Sequence, residues 1–102
     1  MKIIRGTTPT VKFTFKTIQV GNIRTAYLVI KRGGSAVFKK TDGNADAEEN
    51  SLSFTLSQEE TLSLPYGDNM TIGLDWLTVD GTRGRSNIEK LRTGDSGIEE
   101  VI

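Results

Sequence analysis

The segment from Asp42 to Asp46 contains the residues best suited to holding a metal ion. The oxygen-bearing side chains of Asp42, Asn44 and Asp46 occupy alternate positions, as in a calcium-binding loop. Such a loop also needs glycine at its sixth position and a bidentate glutamate at its twelfth, where this chain has Ala47 and Ser53. The match is partial, so we interpret the segment as an acidic surface loop in which these three residues are weak candidate calcium ligands.

Two pairs of adjacent glutamates could also do acid–base chemistry. They are Glu59 with Glu60 and Glu99 with Glu100. Glycoside hydrolysis needs two carboxylates that face each other across a cleft, one of them in an apolar environment. Neighbours in sequence do not supply that geometry, so we interpret the first pair as helix-capping residues and the second as a solvated tail.

Histidine and cysteine are both absent from the chain. Zinc and iron–sulfur sites and Ser–His or Cys–His nucleophile pairs therefore lack their essential residues. Cysteine-free composition also excludes disulfides. The N-terminal residues contain no apolar stretch typical of a secretion signal. We expect a protein without enzymatic activity or cofactor, made in the cytoplasm.

The elements that must position any site are strands, because apolar residues recur at every second position. About seven short strands separated by turns predict one antiparallel β-sandwich domain over residues 1–102. Ser57 followed by Glu60 is a capping box, which predicts one helical turn over 57–62. We expect loops over 41–50 and 93–97 and an irregular return strand over 82–92. The inward faces are Val11-Phe13-Phe15, Leu52-Phe54-Leu56 and Met70-Ile72-Leu74-Trp76.

The pair Gly33-Gly34 predicts a two-residue hairpin turn, because both positions can adopt positive φ. That turn would place Tyr27, Val29 and Phe38 together on the outer side of the hairpin. Such a cluster is either covered by another part of the chain or exposed as an interface. The predicted opposed pairs are Ile30 with Val37, Leu28 with Lys39, Val29 with Phe38, and Tyr27 with Lys40.

Asp80-Gly81 predicts a second two-residue turn. It would place Arg85 opposite Trp76, the only tryptophan, and Arg83 opposite Thr78. The spacing of Trp76 favours a core or half-buried position, with a cation–π contact to an arginine. The alternative is an exposed Trp–Arg pair that contacts a carbohydrate or a protein partner.

Charge is divided unequally along the chain although the net charge is zero. Residues 1–41 contain nine basic residues and no acidic ones, whereas residues 42–102 contain 13 acidic and four basic ones. The opposite charges can pair within one molecule. They can equally hold copies together head to tail, in a salt-sensitive homo-oligomer. Nucleic acid is disfavoured as a partner because 13 carboxylates would repel it, and no apolar run is long enough to cross a membrane.

Several segments resemble small proteins encoded in the structural gene regions of tailed phages and prophages of Gram-positive bacteria. The chain is also similar to the N-terminal immunoglobulin-like domain of phage baseplate proteins. It departs from them in the return strand, where Arg83, Gly84 and Arg85 replace apolar residues. The segments that carry the resemblance are Ile4–Thr10 with Val11, Phe13 and Phe15, then Ala26–Lys31, Leu56–Leu62, Leu77–Thr82, Ser86–Ile88 and Val101–Ile102.

The resemblance implies an immunoglobulin-like antiparallel β-sandwich and contributes no catalytic residues. It implies a structural or adaptor component of a phage or prophage assembly, in the tail or baseplate region. The partners would be other phage structural proteins or copies of the chain, and the virion a later location. The alternative is a small carbohydrate- or protein-binding module. The candidate interface residues are Tyr27, Val29, Phe38, Trp76, Arg83 and Arg85.

Overall fold

A computed structural model describes residues 1–41, 43–97 and 100–102. The described residues form nine strands, one α-helix and one 3-10 turn. The elements in chain order are β1 (Lys2–Arg5), β2 (Thr10–Thr14), the 3-10 turn (Val20–Asn22), β3 (Ile23–Arg32), β4 (Ser35–Lys40), β5 (Asn44–Asp46), β6 (Ser51–Thr55), α1 (Gln58–Leu62), β7 (Gly67–Thr78), β8 (Arg83–Arg85) and β9 (Glu89–Asp95).

The strands form two sheets that pack face to face. The larger sheet has the order β1-β9-β7-β3-β4, with β8 added beside β7, and the smaller has the order β2-β6-β5. All pairs are antiparallel except β1 with β9. The period-two apolar pattern predicted this sandwich, and the fold prediction is confirmed.

Side chains from both sheets fill the space between them, as the alternating pattern requires. Phe54 on β6, Leu56 directly after β6 and Leu74 on β7 are fully buried. Phe13 packs edge-on against Phe54, with ring centroids 6.1 Å apart. The other buried apolar residues are Ile3, Val11, Val20, Ala26, Leu28, Ile30, Leu52, Leu64, Met70, Ile72 and Leu91.

The predicted helical turn is present as α1, and both halves of its capping box form. The Ser57 hydroxyl accepts from the N–H of Glu60 at 3.1 Å, and the Glu60 carboxylate accepts from the N–H of Ser57 at 2.8 Å. Arg5 holds the other end of the helix by donating to the carbonyls of Leu62 and Leu64, at 2.9 and 3.0 Å. Hydrogen bonds from Arg5 therefore connect the C-terminal end of the helix to β1 of the larger sheet.

The hairpin between β3 and β4 begins as predicted and then departs from prediction. Gly33 and Gly34 have φ of 59° and 84°, and Lys31 lies opposite Ala36. A β-bulge then leaves Val37 without a cross-strand partner, so the register shifts by one residue. The predicted pairs are wrong beyond this point: Ile30 lies opposite Phe38, Val29 opposite Lys39, and Leu28 opposite Lys40.

The turn between β7 and β8 has three residues, Val79 to Gly81, instead of the predicted two. The N–H of Thr78 donates to the carbonyl of Thr82 at 2.8 Å, which closes the longer loop. The Asp80 carboxylate accepts from the Thr78 hydroxyl and from the N–H of Thr82. These bonds lower the pKa of Asp80, the Thr78 hydroxyl most of all. The predicted arginine positions are wrong by one residue as a consequence.

Two loops predicted from polar composition contain strand residues. β5 lies within the predicted loop over 41–50, and β9 continues to Asp95 through the segment predicted as a loop. The single return strand predicted over 82–92 is two strands, β8 and β9, that pair with opposite ends of β7. These strands form because they pair with neighbouring strands, and the local sequence pattern does not reveal that pairing.

Candidate interaction surface

The solvent side of the larger sheet, which we call the outer face, concentrates basic side chains. Residues that are opposed across paired strands share a face, so the registers show which side chains lie together. Four of these cations extend across β4, β3 and β8: Lys39 opposite Val29, Lys31 opposite Ala36, and Arg83 and Arg85 on β8. The basic surface continues over β9 and β1. Lys90 lies opposite Thr71 there, and Lys2 lies opposite Arg92.

A groove of about 720 Å³ crosses the middle of the outer face. Its floor is apolar, formed by Tyr27, Val29, Ala36 and Leu77, and cations surround that floor. Tyr27 is 42% exposed, although it lies at the centre of the sheet. The groove thus combines an uncovered aromatic ring with basic walls, the composition expected of an interface for a partner protein.

Ile88 extends the apolar part of this surface. It follows β8 and is 56% exposed. It borders a smaller cavity beside the groove, lined in part by Val29, Lys31 and Gly73. The Ile88 side chain lies beside Gly73, where a Cβ would meet it at 3.7 Å, an ordinary van der Waals contact. Exposed apolar area therefore continues from Tyr27 to the β8–β9 connection.

One ion pair lies in the groove. Arg85 Nε donates to Asp75 Oδ1 at 2.7 Å, and Nη2 lies 3.4 Å from Oδ2. The hydrogen bond to Asp75 raises the pKa of Arg85, which stays charged at every physiological pH. Tyr27 lies opposite Asp75 on β3, so this pair borders the aromatic ring.

The other cations of the groove are available to a partner. Among the residues that the structure describes, no carboxylate lies within ion-pair distance of Lys31, Lys39 or Arg83. Surface cations that lack an internal partner contribute little to folding stability, and they steer oppositely charged molecules toward the site. The groove therefore selects for negative charge on what it binds.

The predicted interface cluster of Tyr27, Val29 and Phe38 is corrected by the bulge at Val37. Tyr27 and Val29 do share the outer face, and both line the groove. Phe38 lies opposite Ile30 and packs against the buried core on the other side of the sheet. Its place on the outer face is taken by Lys39, because one extra residue reverses every side chain that follows.

Trp76 is partly buried on the inner side of the sheet, as its spacing favoured, and it has no arginine opposite. Its cross-strand partner is Gly84, and a Cβ there would lie 2.5 Å from the indole ring. Phe15 packs against the indole at a ring distance of 5.3 Å and an interplanar angle of 85°. The predicted opposition of Trp76 to Arg85, and of Thr78 to Arg83, is wrong: Arg85 lies opposite Asp75, and Arg83 opposite Leu77.

The candidate calcium ligands do not form a described site. Asp42 lies outside the described residues, as do Ile98 and Glu99 of the C-terminal segment. Asp46 uses one carboxylate oxygen to accept from the N–H groups of Glu48 and Glu49, at 3.0 and 3.3 Å. Over residues 1–41, 43–97 and 100–102, no three acidic side chains are grouped closely enough to hold a metal ion.

Part of the charge division along the sequence is paired within the molecule. Three described salt bridges join the basic first part of the chain to the acidic second part. They are Arg5 with Asp95 at 2.7 Å, Lys40 with Glu60 at 2.7 Å, and Lys12 with Glu49. None of the outer-face cations is among these three pairs, and Arg85 pairs with Asp75, which also belongs to the second part of the chain. Internal pairing therefore accounts for one part of the asymmetry and the outer face for another.

Sequence reasoning missed Lys31, Lys39, Lys90 and Ile88 as members of the surface. Lys31 had an available signal, because it continues the alternation of Tyr27 and Val29 along β3. Lys39 depended on the bulge, and Lys90 and Ile88 on the course of β9. The bulge is an irregularity within one hairpin, whereas the course of β9 depends on pairing with distant segments.

The two packed sheets form an immunoglobulin-like β-sandwich, as the similar solved structures indicate. CopC from Methylosinus trichosporium OB3b is similar in structure, with a TM-score of 0.53 and 16% identity over 95% of this chain and 87% of that one. A mouse leukocyte-associated immunoglobulin-like receptor 1 domain, solved as a strand-swapped dimer, has a TM-score of 0.52 and 14% identity over 91% and 85% of the two chains. Such identities establish the fold alone.

No model of a protein family matches the chain, and no curated protein matches it in sequence. None of the described helices is long and apolar enough to cross a membrane.

Proposed function

We propose that this protein is a non-enzymatic structural or adaptor component of a phage- or prophage-encoded assembly, and that it binds its partner through the outer face. The observation that carries the proposal is the groove with an uncovered Tyr27 and three cations that form no ion pair with the carboxylates of the described residues. The resemblance to small proteins of phage structural regions supports the kind of assembly.

The groove has the features of a binding surface and few of those of an active site. Among the described residues that line it, Asp75 is the only carboxylate, and Arg85 holds both of its oxygens. General acid–base catalysis at a carboxyl group requires a second group or an apolar environment that shifts its protonation. Both carboxylate oxygens of Asp75 contact Arg85, which suits Asp75 to positioning Arg85 at the edge of the groove.

The carbohydrate-binding alternative depended on Trp76, and the position of that residue does not favour it. Sugar recognition by an aromatic residue needs a free ring face. The indole packs against Phe15 and lies over Gly84, where even a methyl group would not fit. We therefore propose a protein partner for the outer face.

Co-purification with the products of neighbouring genes tests this proposal. We expect the chain to retain a tail or baseplate protein encoded beside it. The double variant Tyr27→Ala, Lys31→Glu should bind that protein about tenfold or more weakly, which corresponds to roughly 1.4 kcal/mol. Lys16→Glu is the matched control, because Lys16 is exposed and lies outside the groove.

Two results would overturn the proposal. One is the absence of any co-purifying product from the neighbouring genes. The other is binding that the outer-face variant retains in full, since the partner would then use a different surface. A circular dichroism spectrum of each variant confirms that lost binding does not reflect unfolding.

A further inference from the structure

The chain carries an acidic surface on the smaller sheet, at the turn of residues 46–49 between β5 and β6, which we call the acidic turn. The Asp46 carboxylate accepts from two N–H groups of this turn and so holds its conformation. Glu49 pairs with Lys12 on β2. Glu48 is exposed, and no described cation lies within ion-pair distance of it. Glu48 therefore presents a charge that no described cation neutralises, on an exposed turn whose conformation Asp46 holds.

The acidic turn and the groove lie on different sheets. The turn belongs to the smaller sheet, whereas the groove lies on the side of the larger sheet that faces away from it. Since the packed core separates the two sheets, a molecule cannot place its own turn in its own groove. The opposite charges can be satisfied together only between two molecules.

We infer that the occupant of the groove is the acidic turn of a second copy of this chain. The inference rests on the proposed function, because the second copy would bind the same surface that we propose for the neighbouring gene product. Lys31, Lys39 and Arg83 supply the positive charge, and Glu48 with its neighbours supplies the negative charge. From residue 41 to residue 82 the chain has no basic residue, and Lys12, which contacts the turn from β2, is neutralised by its pair with Glu49.

This contact is heterologous, which determines the form of the assembly. Each copy that offers its turn to a neighbour still has an open groove, and each copy that fills its groove still has a free turn. Copies can thus be added at both ends, and the result is a ring when the rotation closes and an open filament when it does not. A net charge of zero on each subunit keeps repulsion between copies from growing as the assembly lengthens.

The contact is small and electrostatic, so we expect weak and salt-sensitive association. One four-residue turn in a groove buries less than the roughly 1,200 Å² at the lower end of stable interfaces. Ion pairs between exposed groups weaken as the screening length shortens from about 14 Å near 0.05 M salt to about 4 Å near 0.5 M. Association should be seen at high protein concentration and low salt.

Reciprocal charge reversal tests the inference, with sedimentation velocity as the readout. Wild type should associate at low salt and dissociate at high salt. Lys39→Glu and Glu48→Lys should each weaken association by about tenfold or more, roughly 1.4 kcal/mol. An equimolar mixture of the two variants should associate again, because a reversed groove then meets a reversed turn. Lys16→Glu and Glu59→Lys are the charge-matched controls, at exposed positions outside both surfaces.

The outcomes separate this inference from the proposed function. A wild-type protein that stays monomeric at low salt overturns the second-copy inference. The proposed function still stands in that case if the double variant Tyr27→Ala, Lys31→Glu no longer binds the neighbouring gene product. Association that Lys39→Glu abolishes and Glu48→Lys leaves intact also overturns the inference, because a different acidic surface would then fill the groove. Failure of the mixture to recover association overturns it as well, provided that both variants remain folded.

Discussion

Asn50 is expected to be the most sensitive polar position in the chain, because its side chain makes three bonds to one connection. Its carboxamide accepts from the N–H of Val20 at 2.7 Å and donates to the carbonyls of Phe15 and Ile18, at 3.0 and 2.7 Å. These bonds hold the segment between β2 and the 3-10 turn, which carries Phe15 against Trp76. Loss of the carboxamide should loosen this end of the sandwich.

The magnitude of an Asn50→Ala substitution follows from these contacts. Each of the three partly buried bonds contributes about 1 kcal/mol net, so their loss costs about 3 kcal/mol. Asn50 also has a φ of 52°, and alanine in that left-handed conformation costs about 1 kcal/mol more. The sum, about 4 kcal/mol, is a large part of the roughly 5–15 kcal/mol that stabilises a typical domain.

Urea unfolding followed by the fluorescence of Trp76 measures this loss. Asn50→Gly removes the same three bonds but fits the left-handed conformation, so it should lose about 1 kcal/mol less than Asn50→Ala. Asn69→Ala is the matched control, because Asn69 is exposed. A loss below about 1 kcal/mol for Asn50→Ala would refute the reasoning, since ordinary surface substitutions reach about half that value.

Two further predictions concern the core edge and the cap of α1. Gly84→Ala should destabilise the domain by about 1–3 kcal/mol in thermal or urea unfolding, because the new Cβ would overlap the ring of Trp76; Gly21→Ala, where a Cβ meets open space, should have little steric effect, and equal losses would contradict the prediction. Partial burial alone would raise the pKa of Glu60, but its hydrogen bonds with Lys40 and the N–H of Ser57 outweigh that effect and lower it below 4.5. Because the folded-state pKa is depressed, this carboxylate stabilises the fold above pH 4.5 and loses that effect as the pH falls through the folded-state pKa. The stability difference between wild type and Glu60→Gln should therefore shrink from about pH 7 to about pH 3, whereas a difference that stays constant, or one that Glu59→Gln reproduces, would contradict the assignment.

The parts of the fold that followed from sequence are those with local causes. Alternation along β6 and β7 identified Phe54, Ile72 and Leu74 as core residues, because a strand buries every second side chain wherever it pairs. The capping box at Ser57 and Glu60 likewise depends on residues three apart. Both features need no knowledge of the neighbouring strands.

The candidate surface followed from sequence only in part, because one residue of register decides which face a side chain occupies. Gly33-Gly34 correctly indicated the turn, but nothing local indicates the bulge that left Val37 unpaired and reversed Phe38 and Lys39. The turn at Asp80 gained a third residue because its carboxylate bonds to Thr82 across the loop. Both errors concern residue counts within a hairpin, and both changed which residues form the surface.

The same shifts of register explain how a chain with no net charge can present a strongly basic face. Without the bulge, Phe38 would lie on the outer face and Lys39 would point toward the core. With it, Lys39 joins Lys31 around the groove, and Phe38 fills the interior. The three-residue turn acts similarly, because it sets Arg85 beside Asp75 and leaves Gly84 beneath the indole of Trp76.

The irregularities thus place apolar groups inside and cations outside, at the same positions along the strands. The bulge at Val37 and the three-residue turn thus contribute both to the packing of the core and to the binding surface. It follows that deleting Val37 should remove the bulge and keep Phe38 opposite Ile30 and Lys39 opposite Val29, so that the groove is retained. Charge reversal at Lys39, which is exposed, should impair the groove alone.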